Sequence, residues 1–445
     1  MPRMTLPSDT FANRRRHYTE RLFALGGEDA PHAALLFGAH HANRNGDAEY
    51  RYRPCSDLYY LTGWEDPDVA ALFRPGAEQE FLLFVQPKDR EREVWTGIRP
   101  GVPGALARGA DLAFPIGELD SRLGDLLQGY GTLHYRYGES PARDARVFRA
   151  ASSSARAAAR NGLAVPHVLV DPRRTLAEMR LVKDETELAT LRQACALTAE
   201  AHVRAMRVGV PGAWEYEVEA AVDHTFRAGG GTGAGYNTIV GGGANACILH
   251  YITNREPLKD GDLCLVDAGC EFGYYTGDVT RTWPVNGRFS PAQKAVYEVV
   301  LEAQLAAIDA ARSGRPFRDM HDAAVRVLTR GMVHLGLLVG EVDALIAGEA
   351  FKKYYMHGTG HWLGLDVHDA GAYWAGFASR PLAPGMVVTV EPGIYVPPDD
   401  DSAPAHLRGI GIRIEDDILV TEGDPENLTA ACPKSIAEVE AACAR

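Results

Sequence analysis

The stretch Gly261-Asp-Leu-Cys-Leu-Val-Asp-Ala-Gly-Cys-Glu-Phe-Gly-Tyr-Tyr-Thr-Gly-Asp-Val-Thr-Arg-Thr-Trp283 reads as an apolar strand, a tight turn and a second strand. The turn centres near Phe272-Gly273, so Asp267 and Asp278 are equidistant from it and are predicted to face each other. Residues opposed in this way have Cβ atoms about 4.5–5.5 Å apart. Two carboxylates at that spacing repel unless a cation lies between them. Two solvated aspartates beside a turn would be the bland alternative. Against it, Asp267 ends the apolar run Leu263-Cys-Leu-Val266, where an unpaired charge is costly.

Working outward, two more acids share this character. Glu391 follows Met386-Val-Val-Thr-Val390, and Glu415 ends Ile410-Gly-Ile-Arg-Ile414. One such acid alone is more often a structural ion pair or a cap. Three of them, with Asp278 opposite the first, point to a shared purpose. Imidazoles concentrate in His357-Gly-Thr-Gly-His361-Trp-Leu-Gly-Leu-Asp-Val-His368, and His250 follows Cys247-Ile-Leu249. The glycines and the lack of a glutamate after His357 exclude an H-E-x-x-H helix. Asp267, Asp278, Glu391 and Glu415 together carry four negative charges, which two divalent cations would neutralise. Oxygen donors with one imidazole suit hard or borderline ions such as Mn²⁺. Paired ions about 3.5–4 Å apart generate a nucleophile and act as Lewis acid. The reading is metal-assisted hydrolysis.

The rest of the chain is consistent with an ordinary enzyme. Its 445 residues are 46% hydrophobic, 24% charged and 9% aromatic, which excludes disordered and fibrous classes. A formal charge of −13 argues against nucleic acid or an anionic membrane as partner. Arg14-Arg15-Arg16 is followed by Tyr18, Thr19 and Glu20 and not by an apolar stretch, so it reads as the solvated face of an opening helix and not as a signal peptide. Seven scattered cysteines without C-x-x-C favour a reducing cytoplasm, with Cys264 and Cys270 as small core residues.

Residues 1–172 read as a smaller α/β domain. Its strands are expected at Ala33–Phe37, Leu58–Thr62, Val69–Phe73 and Phe81–Val85, and its helices around Phe11–Leu25, Ile116–Leu127 and Ala142–Asn161. Pro166 and Asp171-Pro172 break the pattern before a larger α+β domain over 173–445. There, Leu188, Leu191, Cys195 and His202 form the core stripe of a long helix. The run Gly229-Gly-Gly-Thr-Gly-Ala-Gly235 follows a helix and precedes a strand, the reverse of a dinucleotide fingerprint. It reads as a helix cap and loop.

With these motifs in view, the sequence resembles the aminopeptidase P family of pita-bread metallopeptidases. The match runs through Tyr236-Asn-Thr-Ile-Val240, Cys247-Ile-Leu-His-Tyr251, Leu265-Val-Asp-Ala-Gly269, Gly277-Asp-Val-Thr-Arg-Thr282, Met356-His-Gly358, His361-Trp-Leu-Gly-Leu-Asp-Val-His-Asp369, Val390-Glu-Pro-Gly393 and Gly411-Ile-Arg-Ile-Glu-Asp416. Tyr52-Arg-Pro-Cys-Ser-Asp-Leu-Tyr-Tyr-Leu-Thr-Gly63 looks like the family's non-catalytic N-terminal domain. The resemblance implies a pita-bread catalytic domain and two divalent ions per chain, Mn²⁺ foremost, with Co²⁺ or Zn²⁺ also fitting. The implied ligands are Asp267, Asp278, His361, Glu391 and Glu415. Asp278 and Glu415 would bridge the ions, Asp267 would chelate one, and His361 and Glu391 would complete the other's shell. Glu391 would also accept the proton of the attacking water. His250, His357 and His368 match histidines that bind substrate and stabilise the tetrahedral intermediate. Arg413 matches a motif arginine that pairs with a ligand carboxylate or serves as a plain structural ion pair. Tyr236 is expected in the substrate pocket.

The implied activity is release of the N-terminal residue from peptides with proline second, by a cytoplasmic homo-oligomer, dimer or tetramer. Its N-terminal domain would limit access. Trp95 either caps a neighbouring site or packs in the core. The chain departs from its relatives at Gly242-Gly243-Ala244 and at Thr359-Gly360, where bulkier or polar residues are usual. These departures bear on loop shape and substrate preference. A prolidase, acting on dipeptides, has the same ligand set and is the nearest rival. A metal-free binding protein or a creatinase-type hydrolase would have lost ligands that are all present here.

Overall fold

The computed structural model describes residues 6–26 and 31–444. Leu6–Ala177 forms one compact unit, Glu178–Arg445 the main part of a second. In the first, six strands lie in the order Leu112–Pro115, Phe81–Val85, Ala70–Phe73, His32–Phe37, Thr132–Tyr135 and Val168–Val170. The inner pairs at Ala70–Phe73 are antiparallel and the outer pairings parallel. One face of the sheet sends Ala33, Leu35, Leu72, Phe84 and Leu133 into a core closed by Leu119, Leu123 and Val147 of two helices.

Three expectations fail in this unit. Leu58–Thr62 is not a strand but the body of a helix, Ser56–Thr62, stopped by Gly63 in the left-handed region at φ 62°. A short, wholly buried apolar run carries no usable periodicity, and the glycine cap was the available signal. Arg14 and Arg15 are buried instead of solvated. Arg14 lies 4.2 Å over the Tyr60 ring, and Arg15 donates to the Leu61 carbonyl at 3.1 Å while stacking on Phe81. Their planar, weakly hydrated heads tolerate burial against aromatic faces and carbonyls. Trp95 is not a core residue either: it is 87% exposed on the short helix Arg90–Thr96.

In the second unit, the helix Glu185–Val208 begins at a capping box between Asp184 and Glu187, and its stripe Leu188, Leu191, Cys195, His202 is buried as its spacing predicts. With Glu215–Ala228, Pro291–Ala310 and Arg318–His334 it covers a core fed by small antiparallel sheets. One sheet is ordered Ile239–Gly242, Leu263–Ala268, Val279–Pro284; another is Val387–Val390, Asp416–Leu419, Glu426–Asn427. Gly393–Tyr395 pairs with Gly411–Arg413. Cys264 and Cys270 are fully buried. Among the described residues no helix is long and apolar enough to cross a membrane.

The hairpin exists, but in a shifted register. Asp267 faces Thr280, and Phe272 faces Tyr275. The turn residues are Gly273 at φ 56° and Tyr274 at φ 69°, both left-handed as a two-residue type I′ hairpin turn requires. A tyrosine in that region gives no sequence signal, so the centre was misplaced by one residue. In the true register Asp278 lies across from Gly269, making it a diagonal neighbour of Asp267 on the same face. A side chain at Gly269 would collide with the Gly277 carbonyl oxygen. This glycine lets the strands cross closely beside the two aspartates.

Candidate metal centre

Each acid is delivered by the end of a buried strand. Asp267 lies near the end of Leu263–Ala268, Glu391 directly follows Val387–Val390, and Glu415 sits between Gly411–Arg413 and Asp416–Leu419. Asp278 immediately precedes Val279–Pro284. The strands bring Asp267, Asp278, His361, Glu391 and Glu415 to one cavity of about 320 Å³, whose other walls include Tyr236, Ile239, His250, Ile252, Val367 and His368. Donor atoms of Asp278, His361 and Glu415 all lie within 4.8 Å of one another, close enough to hold one metal ion.

The surrounding bonds orient these donors. His361 Nδ1 lies 3.1 Å from the Trp362 carbonyl, which leaves Nε2 facing Asp278 at 3.4 Å and Glu391 at 3.7 Å. Thr280 donates to Glu415 at 2.6 Å. Arg413 donates to Asp267 at 2.6 Å, to Thr280 Oγ1 at 3.0 Å and to the Tyr395 hydroxyl at 2.9 Å. Tyr236 turns its hydroxyl to Asp267 at 2.6 Å and also to Asp278. One phenolic proton cannot serve both carboxylates, so Tyr236 is as much part of the acidic cluster as of the pocket wall. His357 stands apart: it lines an adjoining cavity of about 470 Å³, with Nε2 2.8 Å from the Tyr395 hydroxyl and Nδ1 3.7 Å from Glu391.

The electrostatics ask for cations. Burial, reinforced by Asp278, Glu391 and Asp267, pushes the Glu415 carboxyl well above its usual range. Burial raises Glu391 to about 7, with His361 and Arg413 opposing and the neighbouring acids adding. Burial works against a charged His361, yet Asp278 and Glu391 outweigh it and lift the imidazole to about 9. Burial, then Arg413, drives His357 down to about 3. Four buried acids facing one guanidinium and one imidazole are unfavourable as carboxylates unless they coordinate something. Divalent ions fit this donor set and would reverse the upward shifts of Glu415, Glu391 and His361.

Sequence reasoning missed the supports. The buried carboxyl of Asp417 accepts the Asp278 backbone N–H at 2.9 Å and the Cys195 thiol at 3.2 Å, fixing where Asp278 begins. Asp369 is locked by Lys183 at 3.0 Å and by Arg180, and so anchors the loop presenting His368. The doubled acid in Glu415-Asp416-Asp417 was the visible signal for the first of these.

Gly360 has a similar hidden purpose. A Cβ there would overlap the Thr389 carbonyl oxygen, so the tight approach to Val387–Val390 needs glycine. Gly360→Ala is expected to shift His361 and cost about 10²-fold in kcat/KM, the usual penalty of an ångström-scale misplacement. Metal content measured alongside the kinetics should fall as well.

Comparisons with known proteins identify the family. The model of metallopeptidase family M24 matches residues 189–422, and that of the aminopeptidase P N-terminal domain matches residues 11–134. The Xaa-Pro aminopeptidase of Escherichia coli is 42% identical over 96% of this chain and 97% of its own length. The structure of Pseudomonas aeruginosa aminopeptidase PepP superposes with a TM-score of 0.95 at 46% identity, covering 100% of this chain and 99% of that one. A zinc-substituted aminopeptidase P from E. coli in complex with product superposes at 0.93, with 41% identity and 99% of both chains covered. Fold and site thus define a metallopeptidase, a hydrolase acting on peptide bonds. The chain belongs to metallopeptidase family M24, and with its N-terminal unit it is an aminopeptidase P of the pita-bread fold.

Proposed function

We propose that the chain is an Xaa-Pro aminopeptidase whose centre holds two divalent ions, Mn²⁺ foremost with Co²⁺ or Zn²⁺ as alternatives. The observation that carries this reading is the convergence of four strand-end acids and His361 on the one cavity that His250 and His368 also line. Asp267, Asp278, His361, Glu391 and Glu415 would hold the ions. When bound, the ions supply a water of lowered pKa and polarise the scissile carbonyl.

The chain's own groups do the rest. Glu391 takes the proton of the attacking water and returns it to the departing amine. His250 and His368 donate toward the oxygen that becomes negatively charged. Arg413 holds Asp267 in place. Proline's ring fixes φ and its nitrogen bears no proton, so a pocket that selects it needs shape and not a hydrogen-bond acceptor. Ile239, Ile252 and Val367 provide apolar walls of that kind beside Tyr236. His357, on the Tyr395 side, would meet the substrate beyond the scissile bond. The free thiols suit a cytoplasmic enzyme. A homo-oligomer is also part of the reading, with exposed Trp95 at a neighbour's site and the N-terminal domain limiting access.

The test compares release of the first residue from Ala-Pro-Ala and from Ala-Pro, using metal-stripped protein titrated with Mn²⁺. Tripeptide cleavage that saturates near two ions per chain is the expected result. Cleavage of the dipeptide alone would make the enzyme a prolidase. Silence on both, without metal uptake, would overturn the reading.

A further inference from the structure

His250 lines the cavity, yet no hydrogen bond holds its exposed imidazole among the described residues. Its position is therefore set by the backbone of the loop that follows the strand Ile239–Gly242. That loop contains only a single turn of 3₁₀ helix, Gly243–Cys247, and leaves Ile248 and Ile252 exposed. Cys247, Leu249 and Tyr251 rest on a small apolar cluster with Ile239, Leu265 and Tyr395. The loop has polar anchors as well: buried Asn254 accepts the Val240 N–H at 3.0 Å and donates to the Thr238 carbonyl and to Glu219, each at 2.9 Å, and Cys247 donates its thiol to the Val396 carbonyl at 3.3 Å. The anchor that reaches the neighbour of His250 is Glu215.

Glu215, the first residue of the helix Glu215–Ala228, is fully buried. Its Oε1 accepts the Gly242 N–H and the Asn245 amide, each at 2.9 Å. Its Oε2 accepts the Tyr251 hydroxyl and the Glu256 N–H, again at 2.9 Å. All four donors are uncharged, and together they fill the acceptor sites of a carboxylate. Two of them, Gly242 and Glu256, stand at the opposite ends of the loop. A third, Tyr251, is the residue after His250. The favourable end of the helix dipole supports the buried charge.

We propose that Glu215 is a positioning residue for the peptidase reaction: one carboxylate gathers both ends and the middle of the loop, so that His250 is presented to the cavity without a bond of its own. This rests on the Xaa-Pro aminopeptidase reading for its assay. It also gives meaning to Gly242-Gly243-Ala244. Gly243, at φ 55°, turns the chain out of the strand, and the Gly242 N–H is one of the four donors.

The test is a double-mutant cycle of Glu215→Gln and His250→Ala on the metal-reconstituted full chain, with Ala-Pro-Ala as substrate. A glutamine aims an amide N–H₂ at two of the donors and so breaks the gathering. Glu215→Gln is expected to lower kcat/KM roughly 10–100-fold with metal stoichiometry unchanged, and to add nothing further in the His250→Ala background. Additive losses, or a single-variant loss within twofold of wild type, would overturn the proposal. If Glu215→Gln does not fold, Tyr251→Phe takes its place in the same cycle, with a several-fold loss expected and the same criterion. The imidazole signals of His250 and His368, read by ¹H–¹⁵N spectroscopy, separate this proposal from the function it rests on. In Glu215→Gln the His250 signal should move and that of His368 should not. An unmoved His250 sinks the positioning role even if the wild type cleaves, and a moved one sustains it even if the wild type does not.

Discussion

Glu391→Gln is expected to lower kcat/KM on an Xaa-Pro tripeptide by about 10²–10⁴-fold, the range that general-base catalysis supplies, while the protein still takes up metal. The geometry separates the two effects. Asp278, His361 and Glu415 form a donor group without Glu391. The Glu391 backbone is held by the Thr359 carbonyl at 2.7 Å, so the exchange should leave the strand end in place. The amide keeps the shape and one acceptor oxygen but cannot take up a proton. Glu415→Gln should behave differently, because Glu415 belongs to the three-donor group: metal content and activity are expected to fall together. Metal analysis and steady-state kinetics on both variants decide the matter. Near-normal turnover in Glu391→Gln would remove the residue from the proton path, and complete loss of metal would reduce it to a ligand.

The parts of this molecule that could be read from the sequence were those where one residue type has one affordable place. Acids ending apolar strands at Asp267, Glu391 and Glu415 are such residues, because a charge there needs a partner. The helix Glu185–Val208 was equally readable, since its stripe repeats over many turns. What could not be read depended on atoms far apart in the chain or on backbone conformations that residue type does not announce. The left-handed Tyr274 moved the hairpin register, so Asp267 and Asp278 became diagonal neighbours. The burial of Arg14 and Arg15 depends on where Tyr60 and Phe81 arrive. The family resemblance groups His357 with His250 and His368, and spacing alone does not say that the fold sets it on the Tyr395 side. The supports Glu215, Asp417 and Lys183 act on residues dozens to well over a hundred positions away. Spacing arguments do not reach such pairs.

The largest effect on stability should come from Arg281, which catalysis does not use. Its guanidinium is fully buried directly behind Glu415. It donates to Asp416 at 2.7 Å and to the carbonyls of Thr280, Glu415, Pro433 and Cys432 at 2.5–3.0 Å. Arg281→Met would remove a donor from four carbonyls, of which Thr280 keeps the Glu415 N–H at 3.1 Å, and half of the Asp416 ion pair, leaving only Lys434 at 2.6 Å as countercharge. Breaking a buried pair from one side costs about 3–5 kcal/mol, or a fall in Tm of roughly 6–20 °C for a domain of this size. Acid sensitivity gives an independent reading. Burial pushes the Asp416 carboxyl up, but Arg281 and Lys434 more than offset it and hold it at about 2, below the ordinary 3.8. A depressed carboxyl contributes stability that is fully present above the unfolded value and is lost as pH falls toward the folded one, so for Asp416 the loss lies between about pH 4 and 2. Without Arg281 the folded value rises, that contribution shrinks, and the acid-unfolding midpoint followed by circular dichroism should move to higher pH. An unchanged midpoint with a lowered Tm would mean that the carbonyls, and not the ion pair, carry the stabilisation. An unchanged Tm would mean that neither does.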